Sequence, residues 1–311
     1  MIDEARTNLI TTEIVRQAIG YVHLKNDPVM LHEIEGGHIP DECTEAIERI
    51  NSNRAAFEQW VQDTLDGLPR IKEFFGNLIE SRLKQDGVLQ CPIFGAICYN
   101  DGILENRLER IKKHVSGVES LIAEYGSQHD SAQIDAAIVD MTAEILVLDF
   151  MIQLGFSDIR KVPQQRRAHI DIQAQYNGKP YAIEVTRGRE VKEWETLPYG
   201  GLEDCDNVTN QLKICRLLSR IAYRKDDQFE RALKAGACAR SATKVVAIKT
   251  SDFGFAQCVE RAQKIASELL TQIGAPANVD CVWLVPNVQV AESRWACKNR
   301  TDTATSPHIE L

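Results

Sequence analysis

Asp171 and Glu184 are the acids of this chain whose placement points to chemistry. They lie in AHIDIQAQYNGKPYAIEVTR, residues 168–187, which reads as two strands joined by Asn177-Gly178. That dipeptide accepts the positive φ angles of a tight type I′ turn. With Asn177 and Gly178 as the loop, Tyr176 pairs with Lys179. Counting outward then sets Asp171 opposite Glu184 and His169 opposite Thr186. Alternation puts these four on one face and Ile170, Ile172, Ile183 and Val185 on the other. The acidic pair falls on a non-hydrogen-bonded position, where Cα atoms are only about 4.5 Å apart. Carboxylates so opposed repel, unless one is protonated, a cation neutralises both, or the register differs. A hard cation such as Mg²⁺ or Mn²⁺ takes carboxylates together with waters and phosphate oxygens. Such an ion activates a water and offsets charge on a phosphodiester under attack. His169 shares the face, as a base, as a hydrogen-bond donor behind the ligands, or as a plain cap of the strand edge. The bland counterpart for the acids is a solvated pair softened by nearby Lys and Arg.

A second signal follows the hairpin. Lys213, Arg216, Arg220 and Arg224 fall in one stripe at helical spacing, beside a core-facing stripe of Ile214, Leu217, Leu218 and Ile221. A basic stripe near a metal site fits a nucleic-acid phosphate track; alone, it reads equally as a solvated helix face.

The composition places limits on both readings. The 311 residues can bury a large core and predict two domains. With 44% hydrophobic and 26% charged residues the chain is ordinary for a globular protein. No apolar run reaches 18 residues and the start, MIDEARTN, is acidic, so a cytoplasmic protein with no membrane association is expected. The nine cysteines form no CxxC, which predicts reduced thiols rather than disulfides or structural zinc. The net charge of −9 resides at the front, where residues 1–130 hold 13 Lys+Arg against 22 Asp+Glu. Residues 207–249 hold ten basic against three acidic residues, a basic surface behind the hairpin.

Around these residues the elements follow from periodicity. Helical spacing covers 5–22, 43–66, 69–84, 103–125 and 131–154, while the apolar 88–99, with Pro92 and Gly95, reads as a short strand or buried loop. His32-Glu33 with His38 misses zinc-protease spacing, and Arg107 with His114 is a chance-level pairing in a charged helix. From 131 the order is helix, a strand at 158–162, the hairpin, a polar loop at 190–206, a helix from about 207 to 235, strand TKVVAIKT, a helix at 253–273 and strand VDCVWLVPN. This predicts a helical domain over 1–130, an α/β domain over 131–290 with a right-handed parallel crossover, and a peripheral tail at 291–311.

This pattern resembles the PD-(D/E)XK, or restriction-endonuclease-like, nucleases over about 140–250. The likeness rests on a helix carrying Glu144 and ending at Gly155-Phe156, on Asp171 after a strand, and on YAIEV around Glu184. It implies a mixed sheet flanked by helices, with Asp171 and Glu184 binding Mg²⁺ or Mn²⁺. Glu144, with Asp140 as rival, corresponds to the acid of the first helix and would join the metal directly or through water. His169-Ile170 stands where the family has Pro before the acid, and Thr186 where it has lysine. A catalytic cation must then come from elsewhere; Lys213, early in the next helix, is the first candidate. Arg187 joins Arg216, Arg220 and Arg224 as nucleic-acid-binding. The expectation is a metal-dependent nuclease, DNA favoured, whose acidic front domain serves partner binding, homodimerisation or substrate selection. The alternatives are a catalytically degenerate nucleic-acid-binding or regulatory protein and a structural subunit of a larger complex.

Overall fold

The computed structural model describes residues 9–26, 38–99, 102–126, 128, 130–163, 170–187, 208–250, 277–286 and 308–310. The chain divides into two compact units, one of residues 1–109 with 125–139, the other of 110–124 with 140–311. The boundary expected near residue 130 is therefore not a single cut: 110–124 belongs with the second unit.

The first unit is helical: α1 (Thr12–Asn26), α2 (Asp41–Ser52), α3 (Arg54–Asp66), α4 (Pro69–Leu83), α5 (Pro92–Tyr99) and the greater part of α6 (Ile103–His114). The long helix expected over 43–66 breaks at Asn53, whose side chain accepts the Ala56 N–H and caps α3. The stretch 88–99 is a 3₁₀ turn at Val88–Gln90 followed by α5, not a strand or loop. Its even apolarity carries no period because Ile93, Phe94, Ala96 and Cys98 are all buried. Pro92 opens the helix, where its missing N–H leaves nothing unpaired. Phe57 centres the packing, with ring centroids 5.9 Å from Trp60 and 5.7 Å from Phe94. In α6 Arg107 is buried and His114 exposed, so that pair does not converge.

The second unit is α/β. Its mixed sheet runs β1 (Val115–Ser116), β2 (Ser157–Lys161), β3 (Ile172–Tyr176), β4 (Lys179–Arg187), β5 (Thr243–Thr250), β6 (Cys281–Pro286) and β7 (His308–Glu310) in spatial as well as chain order. Strands β2, β3 and β4 form an antiparallel meander, β5 and β6 add in parallel, and β7 pairs antiparallel with β6. The tail is thus not merely peripheral: its last residues form an edge strand. Helices α7 (Val118–Tyr125), the second half of α8 (Ser131–Gln153) and α9 (Val208–Lys234) complete the unit. The polar loop at 190–206 and the helix expected at 253–273 lie outside the described residues. Phe156, Tyr176, Tyr181 and Trp283 pack as an aromatic cluster, Phe156 stacking on Tyr176 at 4.7 Å. Among the described residues no helix is long and apolar enough to cross a membrane.

Candidate functional site

The hairpin has the register that its turn demands. Asn177 and Gly178 take φ of 50° and 74°, and Tyr176↔Lys179 through Ile172↔Ile183 are paired. Asp171 lies just before the first residue of β3, and its carboxylate does something that alternation does not foretell. Asp171 Oδ2 accepts the Val185 main-chain N–H at 2.8 Å. In an antiparallel ladder that N–H would meet the carbonyl of residue 170, so the side chain continues the ladder one step past the strand. The Asp171 carbonyl meanwhile accepts Val162 N–H at 2.9 Å, tying the same residue to the end of β2.

Two buried charge clusters meet at this point. Lys161 is paired with Ile172, and directly opposed residues share a face, so it projects on the side of Ile172 and Ile183. There its Nζ lies 2.7 Å from Glu144 Oε2, 3.1 Å from Glu124 Oε2 and 4.0 Å from Asp171 Oδ1. On the opposite face Glu184 is wholly buried, and Lys225 of α9 donates to its Oε2 at 3.3 Å and to Gln228 Oε1 at 3.1 Å. Among the described residues, no hydrogen bond reaches Glu184 Oε1.

The electrostatics follow from this crowding. Burial, then repulsion from Asp171, push the Glu144 carboxyl up to about 7 against the pull of Lys161. The same two causes, in the same order, hold Glu184 well above the usual carboxylate range, with Lys225 opposing. Burial would lower the Lys161 ammonium, yet Glu144, Asp171 and Glu124 together raise it. Asp171 therefore acts on both clusters.

Each expected residue can now be placed. Asp171, Glu184 and Glu144 are brought together, Asp171 standing between the other two. Asp140 is half-buried one turn before Glu144, and it is Glu144 that holds Lys161. Thr186 is buried on β4 in phase with Glu184. His169 lies outside the described residues, as do the side chains of Arg187, Lys213 and Arg216. Arg220 and Arg224 are exposed on α9.

The sequence reading missed Lys161, Glu124 and Lys225. Two of them carried a signal. Lys161 is in phase with the buried Ile159 in the strand SDIRK, and Lys225 follows Ile221 by one helical turn, on the core stripe rather than the basic one. A charged side chain on an inward phase is held there by a partner. Glu124 had no comparable mark.

Among the described residues no three or more His, Cys, Asp or Glu side chains form a ready-made metal site. Whether a cation suits the residues present is decided by charge. Among the described residues the ion pairs set Glu124, Glu144, Asp171 and Glu184 about Lys161 and Lys225, and no hydrogen bond there reaches the buried Oε1 of Glu184. A divalent cation matches both the excess charge and the hard oxygen donors. Comparison with family models, with curated proteins and with solved structures finds no match.

Proposed function

We propose that the chain is a divalent-metal-dependent nuclease that hydrolyses phosphodiester bonds, with DNA the favoured substrate. The observation that carries this reading is the gathering of buried carboxylates where β3 begins and β4 ends, with Glu184 held well above the usual carboxylate range and no hydrogen bond from the described residues reaching its Oε1. Buried charges are normally paired, and an excess of carboxylate at the end of a sheet is a functional feature rather than a stabilising one. Further support comes from the order of elements: a helix carrying an acid, three antiparallel strands, a helix, and a strand parallel to the third. That order resembles the core of the PD-(D/E)XK nucleases. Asp171 and Glu184 would hold Mg²⁺ or Mn²⁺, which supplies the means to activate water and to offset phosphate charge. Asp171 is oriented by the Val185 N–H and Glu184 by Lys225. Glu144 acts on the site through Lys161. Exposed Arg220 and Arg224 offer contacts to flanking phosphates, while the acidic front of the chain suits a protein partner rather than nucleic acid.

The rival reading is a degenerate member of the same class that binds nucleic acid without cutting it. Thr186 favours it, since a neutral hydroxyl replaces the cation that the family places there. Cleavage of single- and double-stranded DNA and RNA, each with Mn²⁺ and with chelator, tests both. The expected result is metal-dependent cleavage abolished by Asp171→Asn and by Glu184→Gln. Binding of DNA with no cleavage under any condition would establish the rival.

A further inference from the structure

Two lysines reach the carboxylates, and their surroundings differ. Lys161 is enclosed: its side chain exposes 0%, and Glu144 and Glu124 lie within 2.7 and 3.1 Å of Nζ. The β1–α7 loop also closes on its main chain, where a Cβ on Gly117, at φ +77°, would lie 2.5 Å from the Lys161 carbonyl oxygen. No substrate atom meets an ammonium so enclosed. Lys225 approaches from the other face, with 16% of its side chain exposed. Glu184 Oε2 and Gln228 Oε1 take two of its donors, and an ammonium has three. Arg224 is its exposed neighbour in sequence, and Arg220 lies one helical turn before that. Lys225 also stands over the face of β4 on which Thr186 lies in phase with Glu184.

Resting on the nuclease reading, we infer that Lys225 is the catalytic cation, presented to the scissile phosphate beside Glu184, and that Lys161 is a positioning residue that holds Asp171 and Glu144 by charge. In the hydrolysis water adds its oxygen to phosphorus, one ester P–O bond breaks, and the proton shed by water ends on the departing oxygen. Lys225 donates a hydrogen bond to a non-bridging phosphate oxygen as negative charge grows there, and it gains and loses no proton overall.

The full chain carries the test, in single-turnover cleavage with Mn²⁺ and in duplex binding over a salt series with chelator present. Lys225→Ala should cost about 10²–10³ in rate and flatten the log–log salt dependence of binding by about one unit. Lys225→Gln, one atom shorter but still a donor without the charge, should show the same two losses should the alanine variant fail to fold. Adding Thr186→Lys to Lys225→Ala should return part of the rate, an outcome that a purely structural lysine would not produce. Lys161→Met should instead show its main effect as a lowered melting temperature, with an unchanged salt slope. Wild-type cleavage retained in full by both Lys225 variants, with unchanged slopes, overturns the inference and leaves the nuclease reading standing. A wild type inert towards every substrate with and without metal overturns both.

Discussion

Arg82 in the helical unit and Lys161 in the sheet unit are both almost wholly buried cations, and they are treated in opposite ways. Arg82 donates to Asp135 Oδ1 at 3.1 Å and to the carbonyls of Asp86 and Gly87, each at 2.7 Å. One carboxylate meets one guanidinium, and two main-chain carbonyls accept from it as well. Lys161 sits among Glu124, Glu144 and Asp171, and Glu184 adds a fourth acid to a site whose other cation is Lys225. The first arrangement is closed and ties a helix end to the turn after it. The second gathers, among the ion pairs of the described residues, four carboxylates about two cations. A balanced buried ion cluster supports structure, whereas an unbalanced one points to something the fold expects to receive.

Removing either cation should give the largest effect and the plainest contrast. Lys161→Met leaves buried carboxylates facing one another and should cost about 3–5 kcal/mol in urea unfolding. Arg82→Met strands one carboxylate, Asp135, whose side chain is 26% exposed, and two main-chain carbonyls, and should cost distinctly less. Equal losses would erase the distinction between the two clusters.

Metal should separate the units next. Mn²⁺ at about a hundred times its dissociation constant should add roughly 2.7 kcal/mol to the wild-type chain, raising its melting temperature. Asp171→Asn should lose most of that response and Asp135→Asn none of it.

Neutralising an acid should then change sign between the two sites. Without metal, Glu184→Gln removes a repelled buried charge and should stabilise the fold by about 1 kcal/mol, at the expense of activity. Asp135→Asn removes the partner of Arg82 and should destabilise. Destabilisation in both, read from chelator-treated melts, would mean that the sheet site is balanced after all.

The smallest effect concerns thiols of the helical unit. Burial pushes the Cys91 and Cys98 thiols up to about 12, so at pH 8 the reactive thiolate is on the order of 10⁻⁴ of each. A disulfide reagent should modify half-exposed Cys43 well before either. Asp135 also raises Cys91, and Arg82→Met should hasten its modification by opening the cluster around it.

How much of this was legible depended on whether the determining contact was local. The hairpin register could be read because Asn177-Gly178 sets it within two residues, and it placed Asp171 opposite Glu184; Glu144 came only from the resemblance to the PD-(D/E)XK nucleases, with Asp140 as rival. The fold class and the β2–β5 order were legible from periodicity. The region 88–99 was not, since uniform apolarity matches helix and strand alike. Strand β7 was hidden because its partner β6 is distant in sequence. Lys161 and Lys225 are readable in phase with Ile159 and Ile221, an inward phase that a charged side chain keeps only with a partner. Gly117 gave no sign of its close approach to Lys161, because only packing reveals it.

Asp171 joins two duties in one side chain, since the oxygen that bonds the Val185 N–H closes the seam between β3 and β4. Asparagine retains a carbonyl oxygen able to accept that hydrogen and discards the charge. On the proposed nuclease reading, a lineage can therefore abandon the chemistry at position 171 in one substitution while inheriting the architecture intact. Alanine offers no such route, because it leaves the Val185 N–H without that acceptor. A descendant that has gone silent should carry Asn at this position far more often than Ala, and a survey of natural variants would read its history there.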